Sequence, residues 1–305
     1  MPLYRDFTPH SRPSAVAIGN FDGFHRGHRA IIQTLKEAAG QGDRDTVIVT
    51  FTPHPRIYLN HDFHTIRTDS QRQSDLSAQN PDALYFIDFS AVMQHEAREF
   101  VRDILREHLA METLVIGDDF RFGHGRCGNV EFLKILAGEL RFELRVVPPA
   151  SIDGQRISSS AIRKKLQGGD VAAAYRMLGH PYSIDGTVVH GSGRGRTLGV
   201  PTINLQTQNG ILPRGVFYTI MEWQGRPYHS VTNIGFTPTF SGGSLTVETH
   251  ILDFSHDLYG QSLSLYFLAK IRDELRFDTP QKLVDQIRHD SARARELAAT
   301  CLDPL

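Results

Sequence analysis

The chain has little cysteine, no long apolar run and almost no net charge. Its two cysteines, Cys127 and Cys301, argue against a disulfide framework and are typical of a protein from the reducing cytoplasm. They also lack the pairing that a cysteine-based zinc site needs. No segment approaches the ~20 apolar residues of a membrane helix. The net charge of -1 provides no basic field for nucleic acid. We therefore expect a cytoplasmic protein that binds neither membrane nor nucleic acid.

The first half of the chain alternates between strand and helix patterns. Short apolar or β-branched runs predict strands, and segments with apolar residues at helical spacing separate them. This alternation predicts a parallel sheet with helices on both faces. The predicted strands lie at residues 15–18, 46–50, 83–87, 113–116 and 144–147, and the predicted helices include residues 96–108 and 130–139.

After Gly179 the pattern changes to consecutive strands without long helices, which predicts an antiparallel sheet or small barrel. A final helix is expected at residues 279–299. We place the boundary where Gly179-His180-Pro181 ends an alanine-rich helix, and this gives two domains, residues 1–180 and 181–305.

The first motif, residues 19–28, reads Gly-Asn-Phe-Asp-Gly-Phe-His-Arg-Gly-His. If a helix begins there, His25 and His28 project from the same side of its first turn. Gly27 would let a phosphate approach the backbone, and Gly19 suits a tight turn after the strand. Two imidazoles at this place can stabilise charge that develops on an α-phosphate. Two alternatives to phosphate stabilisation remain: the histidines are ordinary capping or surface residues, or they are metal ligands.

A second segment, residues 156–163, begins a helix with three serines between Arg156 and Arg163. Serine is a common helix cap, so a purely structural role is one interpretation. The other is an anion clamp, in which hydroxyl groups, free backbone N–H groups and arginines converge on a polyphosphate. Because parallel strands end at one edge of a sheet, Ser159 and His25 can meet there.

A glycine- and arginine-rich loop, residues 191–199, lies between two predicted strands of the second half. Such a loop either wraps phosphates with its backbone or is a solvated hairpin. Pro201 follows it, and strand alternation then puts Thr202 and Asn204 on one face. A hydroxyl and an amide oxygen at this spacing suit Mg²⁺ that bridges ATP phosphates.

Glu248 lies in a strand whose apolar residues Leu245, Val247 and Ile251 share one face. Glu248 therefore points the other way, beside Thr246 and His250. An exposed glutamate in a strand is commonly only solvated. Its functional role would be that of a base that deprotonates an alcohol for attack on a γ-phosphate.

Residues 19–28 and 157–163 together resemble the nucleotidyltransferase superfamily with His-x-Gly-His and Ile-Ser-Ser-Ser/Thr-x-x-Arg motifs. With residues 50–55 and 116–123, they are similar to the adenylyltransferase half of bacterial bifunctional riboflavin kinase/FAD synthetases. The resemblance implies that Phe51, Pro53 and Pro55 shape a flavin pocket, although core and loop roles are equally available to them. It implies an ATP and phosphate site that comprises Gly19, Phe21, His25, Gly27, His28, Asp119, Arg156, Ser159, Ser160 and Arg163.

Residues 195–204, 215–218, 233–235 and 247–254 are similar to the riboflavin kinase module of the same family. The family reads Pro-Thr-Ala-Asn where this chain has Ile203 in Pro-Thr-Ile-Asn. The resemblance implies Mg²⁺-ATP binding through Thr202 and Asn204, with Gly193 and Gly199 at the phosphates, and a catalytic-base role for Glu248. Arg272 is placed at the flavin by the same resemblance, with a surface salt bridge as the alternative.

The resemblance implies an α/β Rossmann-like nucleotidyltransferase domain, followed by a small antiparallel β-barrel domain with a C-terminal helix. It implies two reactions with ATP as co-substrate and Mg²⁺ as cofactor. Riboflavin is phosphorylated to FMN, and FMN is adenylylated to FAD with release of pyrophosphate. The rival hypotheses are an enzyme with one working half, a different small-molecule adenylyltransferase, and a non-catalytic flavin-binding regulator. A homo-oligomer is left open.

Overall fold

The computed structural model describes residues 2–60, 62–191, 195, 198–237 and 244–300. The chain divides into two compact units, Met1–Ser159 and Ser160–Leu305. Each unit builds its own sheet.

The first unit contains a sheet of six strands in the order β1-β4-β3-β2-β5-β6, and every neighbouring pair is parallel. Its strands are β1 (Leu3–Tyr4), β2 (Ser14–Ile18), β3 (Asp45–Thr52), β4 (Ala83–Asp88), β5 (Met111–Gly117) and β6 (Glu143–Val147). A short antiparallel hairpin follows, formed by β7 (Ser151–Ile152) and β8 (Gln155–Arg156).

Helices connect the strands and cover both faces of the sheet. They are α1 (Arg26–Gly40), α2 (Pro55–Leu59), α3 (Asp69–Ser77), α4 (Ala97–Glu99), which continues as π-helix over Phe100–His108, and α5 (Val130–Leu140). Alternate residues of β2 supply two separate cores: Ala15 and Ala17 pack with α1, whereas Val16 and Ile18 pack with the π-helical segment and α5. A strand that is buried on both faces explains why β2 is apolar throughout.

The winding of the sheet changes direction at β2. The chain proceeds outward through β3 and β4, and then returns to place β5 on the other side of β2. Ligands of open parallel sheets bind at such switch points, beyond the carboxyl ends of the strands. The ends of β2 and β5 carry residues 19–28 and residues 117–120, so the topology brings two of the sequence motifs to this crevice.

The second unit begins with two helices, α6 (Ser159–Gln167, whose first residue closes the first unit) and α7 (Val171–Leu178). A closed antiparallel barrel follows in the order β10-β13-β12-β11-β14-β9. Its strands are β9 (Tyr182–Val189), β10 (Ile203–Thr207), β11 (Gly215–Trp223), β12 (Arg226–Thr237), β13 (Ser244–Ile251) and β14 (Ser262–Arg272). The C-terminal helix α8 (Pro280–Thr300) packs on the outside of β12 and β14, and α7 packs on β9 and β14.

The barrel interior combines apolar side chains with a chain of hydroxyl groups. Thr219 Oγ1 lies 2.8 Å from Ser230 Oγ and 2.7 Å from Thr232 Oγ1, which in turn lies 3.0 Å from Thr249 Oγ1. All four residues are fully buried, and each hydroxyl finds a partner across β11, β12 and β13. These hydrogen bonds hold the register of the three strands.

The predicted architecture, an α/β domain followed by an antiparallel barrel and a C-terminal helix, is confirmed. The helix expected at residues 96–108 is present but is mostly π-helical, a winding that apolar periodicity does not reveal. Strand β1 and helix α3 were not predicted from the sequence. The division into compact units falls at Ser159, whereas the predicted domain boundary at residue 180 follows α6 and α7.

Candidate functional site

The two histidines of the first motif form a stacked pair at the start of α1. Their ring centroids are 3.6 Å apart with 17° between the planes. His25 is the N-cap residue, and its Nδ1 accepts a hydrogen bond from the backbone N–H of His28 at 3.3 Å. In the neutral His25 ring the proton therefore resides on Nε2. Capping and anion stabilisation are thus compatible functions of one side chain.

The loop that leads into this pair has an unusual backbone. Phe21 and Phe24 are buried aromatic residues with φ of 48° and 39°, in the left-handed region that costs other residues about 1–2 kcal/mol relative to glycine. The Phe21 ring meets His28 edge-on at 5.3 Å. A Cβ on Gly27 would lie 3.2 Å from the His25 ring, and one on Gly19 would lie 3.3 Å from the Phe21 ring. Both glycines therefore let an aromatic ring pack against the loop.

Burial lowers the pKa of His28 well below its usual value, and the neighbouring His25 lowers it further. His28 is therefore neutral at neutral pH in the free protein. Its Nδ1 is buried and has no hydrogen-bond partner within the described residues. Two imidazoles stacked this closely also oppose double protonation, since like charges disfavour each other.

Ser159 joins the first motif across 137 residues of sequence, because its Oγ donates to the backbone carbonyl of Asp22 at 2.9 Å. The Asp22 carboxylate is buried and accepts from the backbone N–H groups of Ile66 at 2.9 Å and Arg67 at 3.1 Å. Asp22 therefore ties three segments together. No role was predicted for Asp22 from the sequence, where its signal is that of an acidic residue inside a glycine-rich turn.

Arg156 and Asp119 meet at the end of β8, beyond the carboxyl end of β5. The guanidinium Nη2 of Arg156 lies 2.6 Å from Asp118 Oδ1 and 3.4 Å from Asp119 Oδ2. Arg156 is half-exposed and Asp119 is exposed, so these ion pairs contribute little to stability. Ser160 and Arg163 lie on α6, one and four residues after Ser159, and Arg163 is buried.

In the barrel, Glu248 lies directly opposite Asn204. The register pairs Asn204 of β10 with Glu248 of β13, and pairs the same glutamate with Asn233 of β12. Residues that face each other across antiparallel strands have Cβ atoms about 5 Å apart. Val247 and Thr249 are buried inside the barrel, so Glu248, half-buried, lies on the outer face as predicted from alternation. The structure thus brings together two residues that are 44 positions apart in sequence.

The glycine-rich loop packs closely on Thr202 and Asn204. A Cβ on Gly191 would come within 2.6 Å of Asn204 Cγ, and one on Gly195 would lie 3.1 Å from Thr202 Oγ1. A Cβ at Gly195 would also lie 2.5 Å from the backbone oxygen of Val200, so this position requires glycine, whereas a Cβ at Gly191 would displace the Asn204 side chain. Gly199 has a φ of 75°, which also favours glycine. Gly193 lies outside the described residues.

His250 holds the segment that carries Thr202. Its Nδ1 lies 2.8 Å from the carbonyl oxygen of Pro201 and donates to it. His250 was placed beside Glu248 by alternation, but no function was predicted for it. In the described part of the chain, no group of three or more His, Cys, Asp or Glu side chains is arranged to hold a metal ion. Mg²⁺ at this place would rely on the oxygens of Thr202 and Asn204 and on nucleotide phosphates, a ligand set typical of this ion.

Arg272 forms a bidentate salt bridge with Asp290 of α8. Its Nε donates to Oδ1 at 3.0 Å, and its Nη2 donates to Oδ2 at 2.7 Å. Asp290 is buried and also accepts from Gln286 Nε2 at 2.8 Å. The alternative weighed for Arg272 was a surface salt bridge; a salt bridge is present, but it is largely buried, and it fastens the C-terminal helix to the barrel. A flavin contact stays a prediction.

The fold and these two sites define a class of protein: a nucleotidyltransferase-type α/β unit joined to a kinase-type barrel. Family models agree with this division. The model described as FAD synthetase matches residues 7–161, and the model described as riboflavin kinase matches residues 178–298. The chain belongs to the bifunctional riboflavin kinase/FMN adenylyltransferase family, and it makes FMN from riboflavin and FAD from FMN with ATP.

Relatives of that name match almost the whole chain. The protein of Pseudomonas fluorescens is 36% identical over 295 residues, which is 95% of each chain. That of Escherichia coli K12 is 36% identical and covers 92% of this chain and 91% of its own. That of Listeria monocytogenes is 31% identical and covers 94% and 93%.

A crystal structure described as a macrolide-efflux protein from Streptococcus pneumoniae has the same fold. It superposes with a TM-score of 0.88, is 32% identical, and covers 96% of this chain and 98% of its own. In the part of the chain that the structure describes, no helix has the length and apolar character needed to span a membrane.

Proposed function

We propose that the adenylyl transfer takes place at the crevice formed by the ends of β2 and β5. His25, His28 and Gly27 would receive the α-phosphate of ATP at the start of α1. Arg156 and the start of α6, with Ser159, Ser160 and Arg163, would bind the outgoing pyrophosphate. Gly19, Phe21 and Asp119 would complete the nucleotide site. The hydrogen bond between Ser159 and Asp22 supports this grouping, since it joins Ser159 to the first motif within one unit.

The phosphate of FMN would attack the α-phosphorus directly, and pyrophosphate would leave. Such a transfer requires alignment and charge stabilisation rather than a covalent enzyme intermediate. The Nε2–H of His25 is a suitable donor to the α-phosphate oxygens, given that its Nδ1 is occupied as a cap. The negative charge of the bound triphosphate would raise the pKa of His28 from its lowered value, and the imidazolium so favoured would stabilise the transition state.

We propose that the kinase reaction takes place on the outer face of β10 and β13. Glu248 would accept the proton of the ribityl 5′-hydroxyl as the oxygen attacks the γ-phosphorus, and ADP would leave. The loop that includes Gly193 and Gly199 would surround the phosphates, and Arg272 would contact the flavin. The single observation that carries this assignment is the direct pairing of Asn204 with Glu248.

Thr202 and Asn204 are the proposed Mg²⁺ ligands. Their hydroxyl and amide oxygens are the hard donors that this ion prefers, and the glycine loop packs closely on both. The ion would neutralise phosphate charge during the transfer. His250 would keep Thr202 in place through Pro201.

The test is a time course of purified protein with riboflavin, ATP and Mg²⁺, in which flavins are separated by chromatography. We expect FMN to appear first and FAD to follow. His28→Ala should abolish FAD formation and spare FMN formation. Glu248→Ala should abolish FMN formation from riboflavin but still form FAD when FMN is supplied. Equal loss of both activities in either variant would refute the two-site assignment, and circular dichroism checks that each variant is folded.

We further propose a cytoplasmic enzyme that binds neither nucleic acid nor membrane and whose domains are residues 1–180 and 181–305. Cys127 is an exposed free thiol, which suits a reducing compartment. A homo-oligomer is compatible with the proposal, and light scattering during size-exclusion chromatography measures it. The macrolide efflux named for the structure from Streptococcus pneumoniae is not part of the proposal, since both sites have the groups that phosphate transfer needs.

A further inference from the structure

Arg72 is the largest fully buried side chain among the described residues. Its Nη1 donates to the backbone carbonyl of Asn20 at 2.7 Å. Its Nη2 donates to the carbonyl of Phe51 at 2.6 Å and to Asp69 Oδ1 at 2.8 Å. The guanidinium also lies over the ring of Phe86, 5.1 Å from its centroid. A buried cation that carries this many directed contacts has a fixed position.

Helix α3 presents this arginine to the sheet. Thr68 and Gln71 form a capping box that fixes the first turn of the helix. Asp69 and Arg72 are three residues apart and therefore lie on one face of that turn. Asp69 also accepts a hydrogen bond from Thr52 Oγ1 at the end of β3. The ion pair with Asp69 compensates the charge of Arg72, which is essential for a cation that is removed from water.

The two carbonyls held by Arg72 belong to different parts of the proposed adenylyltransferase site. Asn20 lies in the loop that leads to His25, on the proposed nucleotide side. Phe51 opens the segment that continues to Pro53 and Pro55, on the proposed flavin side. Thr50 Oγ1 adds a weaker hydrogen bond to the Asn20 carbonyl at 3.4 Å. Arg72 is thus the bridge between the ends of β2 and β3.

We propose that Arg72 is a positioning residue for adenylyl transfer, which sets the spacing between the nucleotide loop and the flavin segment. The inference rests on the proposed function of those two segments. The planar fork of arginine donates to both carbonyls at once, whereas a lysine reaches one of them. Loss of the bridge should therefore impair the alignment of FMN with ATP more than the fold.

The experiment compares Arg72→Met, which keeps the bulk of the side chain, with Arg44→Met as the matched control. Arg44 has the same kind of contacts at the opposite end of β3: a carboxylate, Glu112 at 2.8 Å, and a carbonyl, Ala38 at 3.3 Å. In full-length Arg72→Met we expect kcat/KM for FMN adenylylation to fall at least about 10-fold with a raised KM for FMN. Riboflavin kinase activity of the same molecules should stay within about twofold, as should both activities of Arg44→Met.

An unchanged KM and kcat for adenylylation in folded Arg72→Met would overturn the inference, and so would equal losses in Arg72→Met and Arg44→Met. If Arg72→Met does not fold, the inference is tested with Arg72→Lys instead. It keeps a buried cation and one hydrogen bond, and we expect KM for FMN to rise about threefold without loss of kinase activity. An unchanged KM in Arg72→Lys contradicts the inference. Failure of the proposed function differs from these outcomes, because the unsubstituted protein would then make no FAD from FMN.

Discussion

Substitution of Gly191 by alanine should disable the kinase reaction without unfolding the barrel. The added Cβ would lie 2.0 Å from Asn204 Nδ2 and 2.6 Å from its Cγ, whereas non-bonded heavy atoms pack at about 3.5–4.0 Å. The Asn204 carboxamide must therefore shift by at least about 1 Å. It is the end of a flexible side chain, so the shift costs little stability. A displacement of about 1 Å at a reacting centre lowers the rate by ~10²-fold, equivalent to about 2.7 kcal/mol in the activation barrier.

The assay measures FMN formation from riboflavin and FAD formation from FMN on the same Gly191→Ala preparation. Kinase kcat/KM should fall by ~10²-fold and adenylylation should be unchanged. Gly168→Ala is the matched control, because a Cβ there meets its nearest atom at an ordinary 3.5 Å. Its two activities should equal those of the unsubstituted protein. Full kinase activity in Gly191→Ala would refute the role given to Asn204.

Three further predictions concern stability. Burial lowers the pKa of His28. Below pH 6.5, the usual pKa of a histidine, the unfolded chain therefore binds more protons than the folded chain. Unfolding free energy should thus fall as the pH drops through that value, and urea titrations between about pH 7.5 and 5.5 should show a shallower fall for His28→Asn. Asp290→Ala leaves Arg272 without its carboxylate and should cost about 3 kcal/mol. The single tryptophan lies in the barrel, so its fluorescence reports that loss, and a shift below about 1 kcal/mol would contradict the role of the salt bridge. Finally, residues 160–305 should form a kinase that is about 3–5 kcal/mol more stable than residues 181–305, because the latter lack α7 and its buried apolar face. Equal melting of the two fragments would contradict the stabilising role given to α7.

The architecture could be predicted from the sequence because each half has a consistent periodicity. Runs of β-branched residues such as residues 46–50 are typical of strands that are buried on both faces, as in a parallel sheet with helices above and below. The alternation around Glu248 likewise fixes which face of β13 is buried, and the structure agrees. Motifs located by composition, such as residues 19–28, fell at strand ends because turns there require glycine.

The contacts that hold the sites together could not be predicted in the same way. Asp22 and Arg72 are charged residues whose partners are mostly backbone atoms tens of residues away. Because every residue has backbone groups, such partners cannot be recognised from residue types in a sequence. The pairing of Asn204 with Glu248 depends on barrel register, which alternation alone does not specify. The salt bridge between Arg272 and Asp290 could not be predicted either, because it depends on where α8 packs against the barrel.

The two sites are built on different principles, and this difference should affect their tolerance to substitution. The proposed kinase residues Asn204 and Glu248 lie on hydrogen-bonded neighbouring strands, so the ladder itself sets their separation. The proposed adenylyltransferase residues lie on loops and at the starts of helices, on segments far apart in sequence, and such segments need additional contacts to be held. Asp22 and Arg72 provide such contacts, and both are buried and charged. Substitutions remote from the chemistry should therefore reduce FAD formation more often than FMN formation, and a scan of buried polar residues that measures both products from one preparation would reveal that asymmetry.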